Sequence, residues 1–125
     1  MAKTHVFNFA VAYADTDAEG IMYHARYIEV AERARSAWSR GMFIPKEDTG
    51  FVARELNIKY LHPIFLNEEF SVETNAVKIG GVSMTIEQKF VKDGNICAIM
   101  VITIVYLGAD MRPKAIPESI LKMFG

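Results

Sequence analysis

Asp15, Asp17, Gly20 and His24 fall within one short segment, Tyr13-Ala-Asp-Thr-Asp-Ala-Glu-Gly-Ile-Met-Tyr-His-Ala-Arg-Tyr27, where a strand hands over to a helix. Unpaired N–H groups at a helix N-terminus can hold a developing negative charge while a neighbouring carboxylate attacks or activates water. Gly20 permits a positive φ, or close approach of a ligand to the backbone, and so can turn the chain onto the helix. Asp17 would then flank the helix start that His24 helps to form. A backbone N–H there would point at a substrate carbonyl, with the carboxylate within reach of the same carbon. This is the geometry for hydrolysing an activated acyl group.

Taken one at a time, the same residues have plainer readings. Asp15-Thr16-Asp17 can be a polar turn whose aspartates cap a helix or bind nearby backbone. A Mg²⁺–nucleotide site would need a phosphate-binding loop and a further acidic cluster, and the sequence offers neither. A histidine in a first helical turn is often structural, and the helix dipole disfavours its protonated form. No metal is expected: the other histidines are His5 and His62, and no Cys or His pair has ligand spacing. The single cysteine, Cys97, lies in an apolar run and reads as a small buried core residue; alone, it excludes an internal disulfide.

The elements that position these residues follow from periodicity. Residues 5–14 alternate loosely as a first strand, and 15–20 form an acidic turn. Residues 24–40 read as a helix of ~25 Å, with Tyr27, Ile28, Ala31, Ala34 and Trp38 as its apolar stripe. Glu29 with Arg33, and Glu32 with Arg35, can pair along its sides. Gly41 is a natural stop, and a loop containing Pro45 follows. The alanines in the stripe would let the helix backbone approach a sheet closely. Strands are expected over 51–61, 69–79, 82–92 and 95–107, broken by His62-Pro63, Gly80-Gly81 and the hairpin turn Asp93-Gly94. The last strand is nearly all apolar, as for a strand covered on both faces or buried at an interface. Pro113 and Pro117 bracket a loop before a short terminal helix ending near Phe124. One strand, one long helix and about four antiparallel strands make an α+β pattern in a single domain, residues 1–125. The uncovered sheet face or an edge strand calls for a partner.

Composition limits the function classes. Half the residues are apolar (51%) and 23% are charged, as in a folded globular domain. The net charge of −1 carries no footprint for nucleic acid or an anionic membrane. The first residues hold no apolar signal region, and the longest apolar run is too short and too β-branched for a membrane helix. A cytoplasmic location is expected.

The chain resembles the 4-hydroxybenzoyl-CoA thioesterase family of hotdog-fold proteins, and within it the branch of short acyl-CoA thioesterases associated with the Tol-Pal system. The resemblance rests on Tyr13, Asp15-Thr16-Asp17, Gly20, Met22-Tyr23-His24, Tyr27 and Glu32-Arg33-Ala34-Arg35. It continues through Lys78-Ile-Gly-Gly81, Ser83-Met84 and Pro113-Lys-Ala-Ile-Pro117. It implies an antiparallel sheet of about five strands wrapped around one long helix, in homodimers often paired into tetramers with active sites between subunits. No cofactor is implied.

The implied activity is hydrolysis of a short-chain or aromatic acyl-CoA to free acid and CoA. Asp17 would be nucleophile or general base. The backbone N–H of His24 would polarise the carbonyl, and Gly20 and Tyr23 would shape the acyl entrance. Asp15 would hold the turn by hydrogen bonds. Glu29 and Glu32 are runner-up acids, because a distinct hotdog branch places its acid on the helix. Gly80-Gly81-Val82 stands where some aromatic acyl-CoA members carry a basic cluster for the CoA phosphates, which weakens the specific 4-hydroxybenzoyl-CoA assignment. The alternatives are an acyl carrier protein thioesterase, a non-catalytic acyl-thioester-binding or scaffold protein, and a hydratase or dehydratase.

Overall fold

The computed structural model describes residues 4–40 and 47–124. Five strands form: β1 (His5–Ala10), β2 (Gly50–Tyr60), β3 (Glu69–Ile79), β4 (Ser83–Lys92) and β5 (Asn95–Leu107). They pair antiparallel in one sheet of order β1-β3-β4-β5-β2. Helix α1 (Arg26–Ser39) packs on one face of that sheet, and a short α2 (Glu118–Phe124) follows β5. This is the expected α+β hotdog architecture.

The core is where the period-2 and period-3.6 patterns meet. Phe70, Val72, Met84, Ile86, Phe90, Met100 and Ile102 point inward from β3, β4 and β5 and are buried. They face Tyr27, Val30, Ala31, Ala34 and Trp38 of α1. Ile28 departs from the expected stripe: it is 38% exposed, and Val30 at 1% takes its place, one side of the stripe over. Ala31 and Ala34 are fully buried, and the helix does approach the sheet closely. The Gln88 side chain of β4 donates from Nε2 to the Ala31 carbonyl at 2.9 Å and to Thr74 Oγ1 at 3.1 Å, while its Oε1 accepts from Arg35 Nη1 at 2.9 Å.

Element ends shift for identifiable reasons. The first strand stops at Ala10, not 14, because the Asp15 carboxylate accepts the Ala12 N–H at 2.8 Å and winds Tyr13–Asp15 into a 3₁₀ turn. The helix starts at Arg26, not 24, after a turn closed by Arg26 N–H to the Tyr23 carbonyl at 2.8 Å. Glu29 pairs with Arg26 at 2.9 Å instead of Arg33, and Arg35 is drawn to Gln88. The Gly41 stop and the Pro45 loop lie outside the described residues. Strand β5 lies between β4 and β2. Its inner side chains are buried, whereas Ile99, Val101 and Thr103 on the other face are half-buried, so among the described residues the middle of that face is only partly covered. Strand β2 is an edge strand.

The connection from β2 to β3 is closed by Glu68, whose Oε1 accepts the Phe65 N–H at 2.6 Å and Lys92 Nζ at 3.0 Å. The Phe65 N–H and then Lys92 hold the Glu68 carboxyl below the usual carboxylate range. A depressed folded-state pKa gives stability that is complete above the unfolded value and lost as pH falls through the folded one. The melting temperature of the wild type should therefore drop more steeply than that of Glu68→Gln between about pH 5 and pH 3. Parallel pH profiles in thermal melts would show that this carboxylate contributes nothing.

Candidate active site

Residues 16–22 fold back on themselves. Thr16 bridges Met22, Asp17 N–H binds the Ile21 carbonyl at 3.0 Å, and Gly20 N–H binds the Asp17 carbonyl at 3.1 Å. Gly20 makes this turn with φ +77°, a left-handed conformation that a side chain would strain. The turn is fastened to the β2–β3 connection by Met22 N–H to the Ile64 carbonyl at 2.7 Å and Leu66 N–H to the Gly20 carbonyl at 3.0 Å. Inside it, the Glu19 N–H donates to Asp17 Oδ1 at 2.9 Å and sets the carboxylate's direction. Glu19 thus contributes its backbone N–H to the site. Asp15 holds the turn through Ala12 N–H, stands 3.4 Å from Arg26 Nε, and accepts the Tyr23 N–H on its own carbonyl at 2.8 Å.

The next two N–H groups are different. Among the described residues nothing accepts the N–H of His24 or Ala25 at the helix start, and no side chain caps the helix. The His24 carbonyl is held from the other side by the Tyr60 hydroxyl at 2.7 Å. Tyr60 ends β2, and its ring meets Tyr27 edge-on at 5.0 Å. The peptide at the helix start is therefore tied to the edge strand.

A bulge supplies the remaining wall. Phe90 pairs with Ala98 but Val91 with Ile96, so Cys97 is the extra residue on β5. Its carbonyl is freed to accept both Leu61 N–H at 2.8 Å and His62 N–H at 3.0 Å. That turns Leu61, His62 and Pro63 over a cleft of about 280 Å³ whose other lining residues are Asp17, Ile21, Met22, His24, Tyr27 and Tyr60. Burial first, then Cys97, pushes the Tyr27 hydroxyl up to about 12, and burial also raises Tyr60.

Asp17 and His24 thus share one cleft. Gly20 and Tyr23 do not line it: Gly20 makes the turn, and Tyr23 is 44% exposed with its ring 4.5 Å from that of His24. Glu29, at the helix surface, lines a smaller cleft of about 110 Å³ with Asp15 and Arg26, and Glu32 is exposed. Tyr60, Leu61, His62 and Pro63 were not marked by sequence reasoning. The His62-Pro63 break after a strand was visible, but its place opposite Asp17 depends on the bulge at Cys97.

A family model described as thioesterase-like superfamily matches residues 11–124. The chain is 31% identical over 123 residues to an acyl-CoA thioester hydrolase, YbgC, of Escherichia coli O6:H1, covering 91% of this chain and 90% of that protein. It is 31% identical over 126 residues to the acyl-CoA thioesterase YbgC of Haemophilus influenzae, covering 94% and 92%. The crystal structure of a probable thioesterase from Bartonella henselae superposes with a TM-score of 0.83 at 26% identity, covering 92% of this chain and all of that one.

Proposed function

The chain belongs to the thioesterase-like superfamily, and from that premise we propose that it is an acyl-CoA thioesterase acting on a short-chain or aromatic acyl group, with Asp17 and the His24 N–H at its centre. The observation that carries this reading is the pairing of an oriented carboxylate with an unpartnered helix-start N–H across one cleft. The thioester oxygen gains negative charge as its carbon becomes tetrahedral, and the His24 N–H is placed to bind that charge. Asp17 either attacks the carbonyl carbon, expelling CoA thiolate and leaving a mixed anhydride that water opens, or takes the proton of an attacking water. Gly20 serves as the hinge of the catalytic turn, and Tyr23 packs behind His24 at the entrance.

Residues 1–125 act as one domain, cytoplasmic and homo-oligomeric, as a dimer or a tetramer. In support of assembly, Tyr60, Leu61 and Phe65 expose 45–50% of their surface around the cleft, beside the open edge of β2. Among the described residues no helix is long and apolar enough to cross a membrane. Free-thiol release from a panel of acyl-CoAs, short to long and aromatic, tests the activity. Release from none of them would move the reading to acyl carrier protein thioesters or to binding without turnover.

Tyr60 holds the His24 carbonyl without facing the reacting carbon in this scheme, so it is a positioning residue. Tyr60→Phe should lower kcat roughly tenfold, the worth of one net hydrogen bond of about 1.4 kcal/mol, with KM little changed. A rise in KM at constant kcat would instead make Tyr60 part of substrate binding.

A further inference from the structure

Arg26 is an unexpected first residue for a helix. The dipole places partial positive charge at a helix N-terminus, so a cation in the first turn costs stability there. Arg26 opens α1 even so, after Ala25, where no side chain caps the helix. Its own side chain explains the choice. Helical side chains lean toward the N-terminus, and this one reaches past the helix start to the 3₁₀ turn before Asp17. Nη2 donates to the Ala14 carbonyl at 2.8 Å, and Nη1 to Glu29 Oε1 at 2.9 Å. Among the described residues Nε is buried without an aligned hydrogen bond and is held by charge, 3.4 Å from Asp15 Oδ1. The Asp15 side chain is 13% exposed and that of Glu29 62%, so the inner arm, to Ala14 and Asp15, outweighs the solvent-screened outer one.

We propose that Arg26 is a positioning residue for thioester hydrolysis, whose guanidinium locks the turn bearing Asp17 to the helix start at His24. The assignment rests on the thioesterase reading for the reaction and on the contacts of Arg26 for the joint. Two ties cross the same gap. Arg26 holds Ala14 and Asp15 from the helix side, and the Tyr23 N–H, just before His24, binds the Asp15 carbonyl at 2.8 Å. Asp17 follows closely on Asp15, so the joint fixes the base of the catalytic turn while Met22 and Leu66 fasten its far side. Arg26 borders the cleft of about 110 Å³ and is absent from the lining of the 280 Å³ cleft that Asp17 and His24 share. It acts on the reaction through the turn, not by touching substrate. A displacement of about 1 Å at a reacting group can cost on the order of 10²-fold in rate, so such a joint weighs more in kinetics than in stability.

Arg26→Met and Arg26→Lys, each made in wild type and in Asp17→Asn, test the joint by thiol release. Arg26→Met should lower kcat at least ~10-fold with KM within ~3-fold of wild type. Arg26→Lys should recover little of this, because one ammonium cannot reproduce a fork that meets Ala14 and Asp15 together. In the Asp17→Asn background Arg26→Met should cost less than ~2-fold, since no carboxylate remains to be positioned. An equal loss in both backgrounds, a rise in KM at constant kcat, or full activity in Arg26→Lys would overturn the assignment. Amide exchange followed by NMR reads the joint without turnover. The Tyr23 and Ala12 N–H groups, both bound to Asp15, should exchange at least ~10-fold faster in Arg26→Met, with the buried amides of β3 and β4 unchanged. Should wild type release no thiol from any acyl-CoA, the thioesterase reading fails. Faster exchange at Tyr23 and Ala12 then still upholds the joint, and unchanged exchange overturns it.

Discussion

Asp17→Asn should lower kcat at least ~10²-fold toward every acyl-CoA the wild type hydrolyses, with the fold intact. Asparagine keeps an oxygen where Oδ1 accepts the Glu19 N–H, so the turn through Gly20 has no reason to move. What is lost is the negative charge and the basic lone pair facing the cleft. An amide neither attacks a thioester carbon at a useful rate nor takes a proton from water, so either proposed mechanism fails in this variant. The contrast is His24→Ala, which removes an imidazole but leaves the backbone N–H, and should cost less than Asp17→Asn. Thiol release and a melting curve, run on the three proteins together, decide the matter. Activity within tenfold of wild type in a folded Asp17→Asn would remove Asp17 from the chemistry and turn attention to Glu29. A larger loss in His24→Ala than in Asp17→Asn would mean that the imidazole, not the N–H, is the working group.

Asp17, Gly20 and His24 were legible in the sequence because their relation is local. A turn and a helix start lie within one segment, and one glycine decides where the chain reverses. Strands β3 and β4 were legible because alternation survives wherever one face is buried, and β5 because an apolar run follows the Asp93-Gly94 turn. The missed parts are those decided between distant segments. Ile28 and Val30 are both apolar and lie on either side of Ala31 around the helix, and only the sheet's position decides which is covered. Tyr60 reads as the end of a strand until β2 and α1 are placed side by side. His62 reaches the cleft because Cys97 is the extra residue of a bulge, and no composition or period signals that bulge. The bond from Tyr106 Oη to Asp48 at 2.7 Å, with Lys114 at 2.8 Å from the same carboxylate, joins three segments that sequence offers no reason to connect.

Gln88 shows what that non-local information is worth. Its position on the buried face of β4 follows from alternation with Met84, Ile86 and Phe90, yet the residue is 0% exposed among mostly apolar neighbours. Three partners account for it: the Ala31 carbonyl, Thr74 Oγ1 and the Arg35 guanidinium. Burial lowers the pKa of that guanidinium while Glu32 opposes the shift, so Gln88 Oε1 is a main compensation for a half-buried cation. Gln88→Leu keeps the volume but strands the cation and deprives the Ala31 carbonyl and Thr74 hydroxyl of their donor. The expected cost is about 3 kcal/mol, a fall in melting temperature on the order of 10 °C. Adding Arg35→Met removes the stranded charge, and the double variant should recover a large part of the loss, because replacing a buried polar pair with apolar groups is often near neutral. A cost under ~1 kcal/mol for Gln88→Leu, or a double variant no better than the single, would show that water or rearrangement satisfies Arg35 without Gln88. The helix would then rest on the sheet by apolar packing alone. In the expected case this joint fixes α1 along the sheet, and with it the helix start beside the cleft that His24 and Asp17 both line.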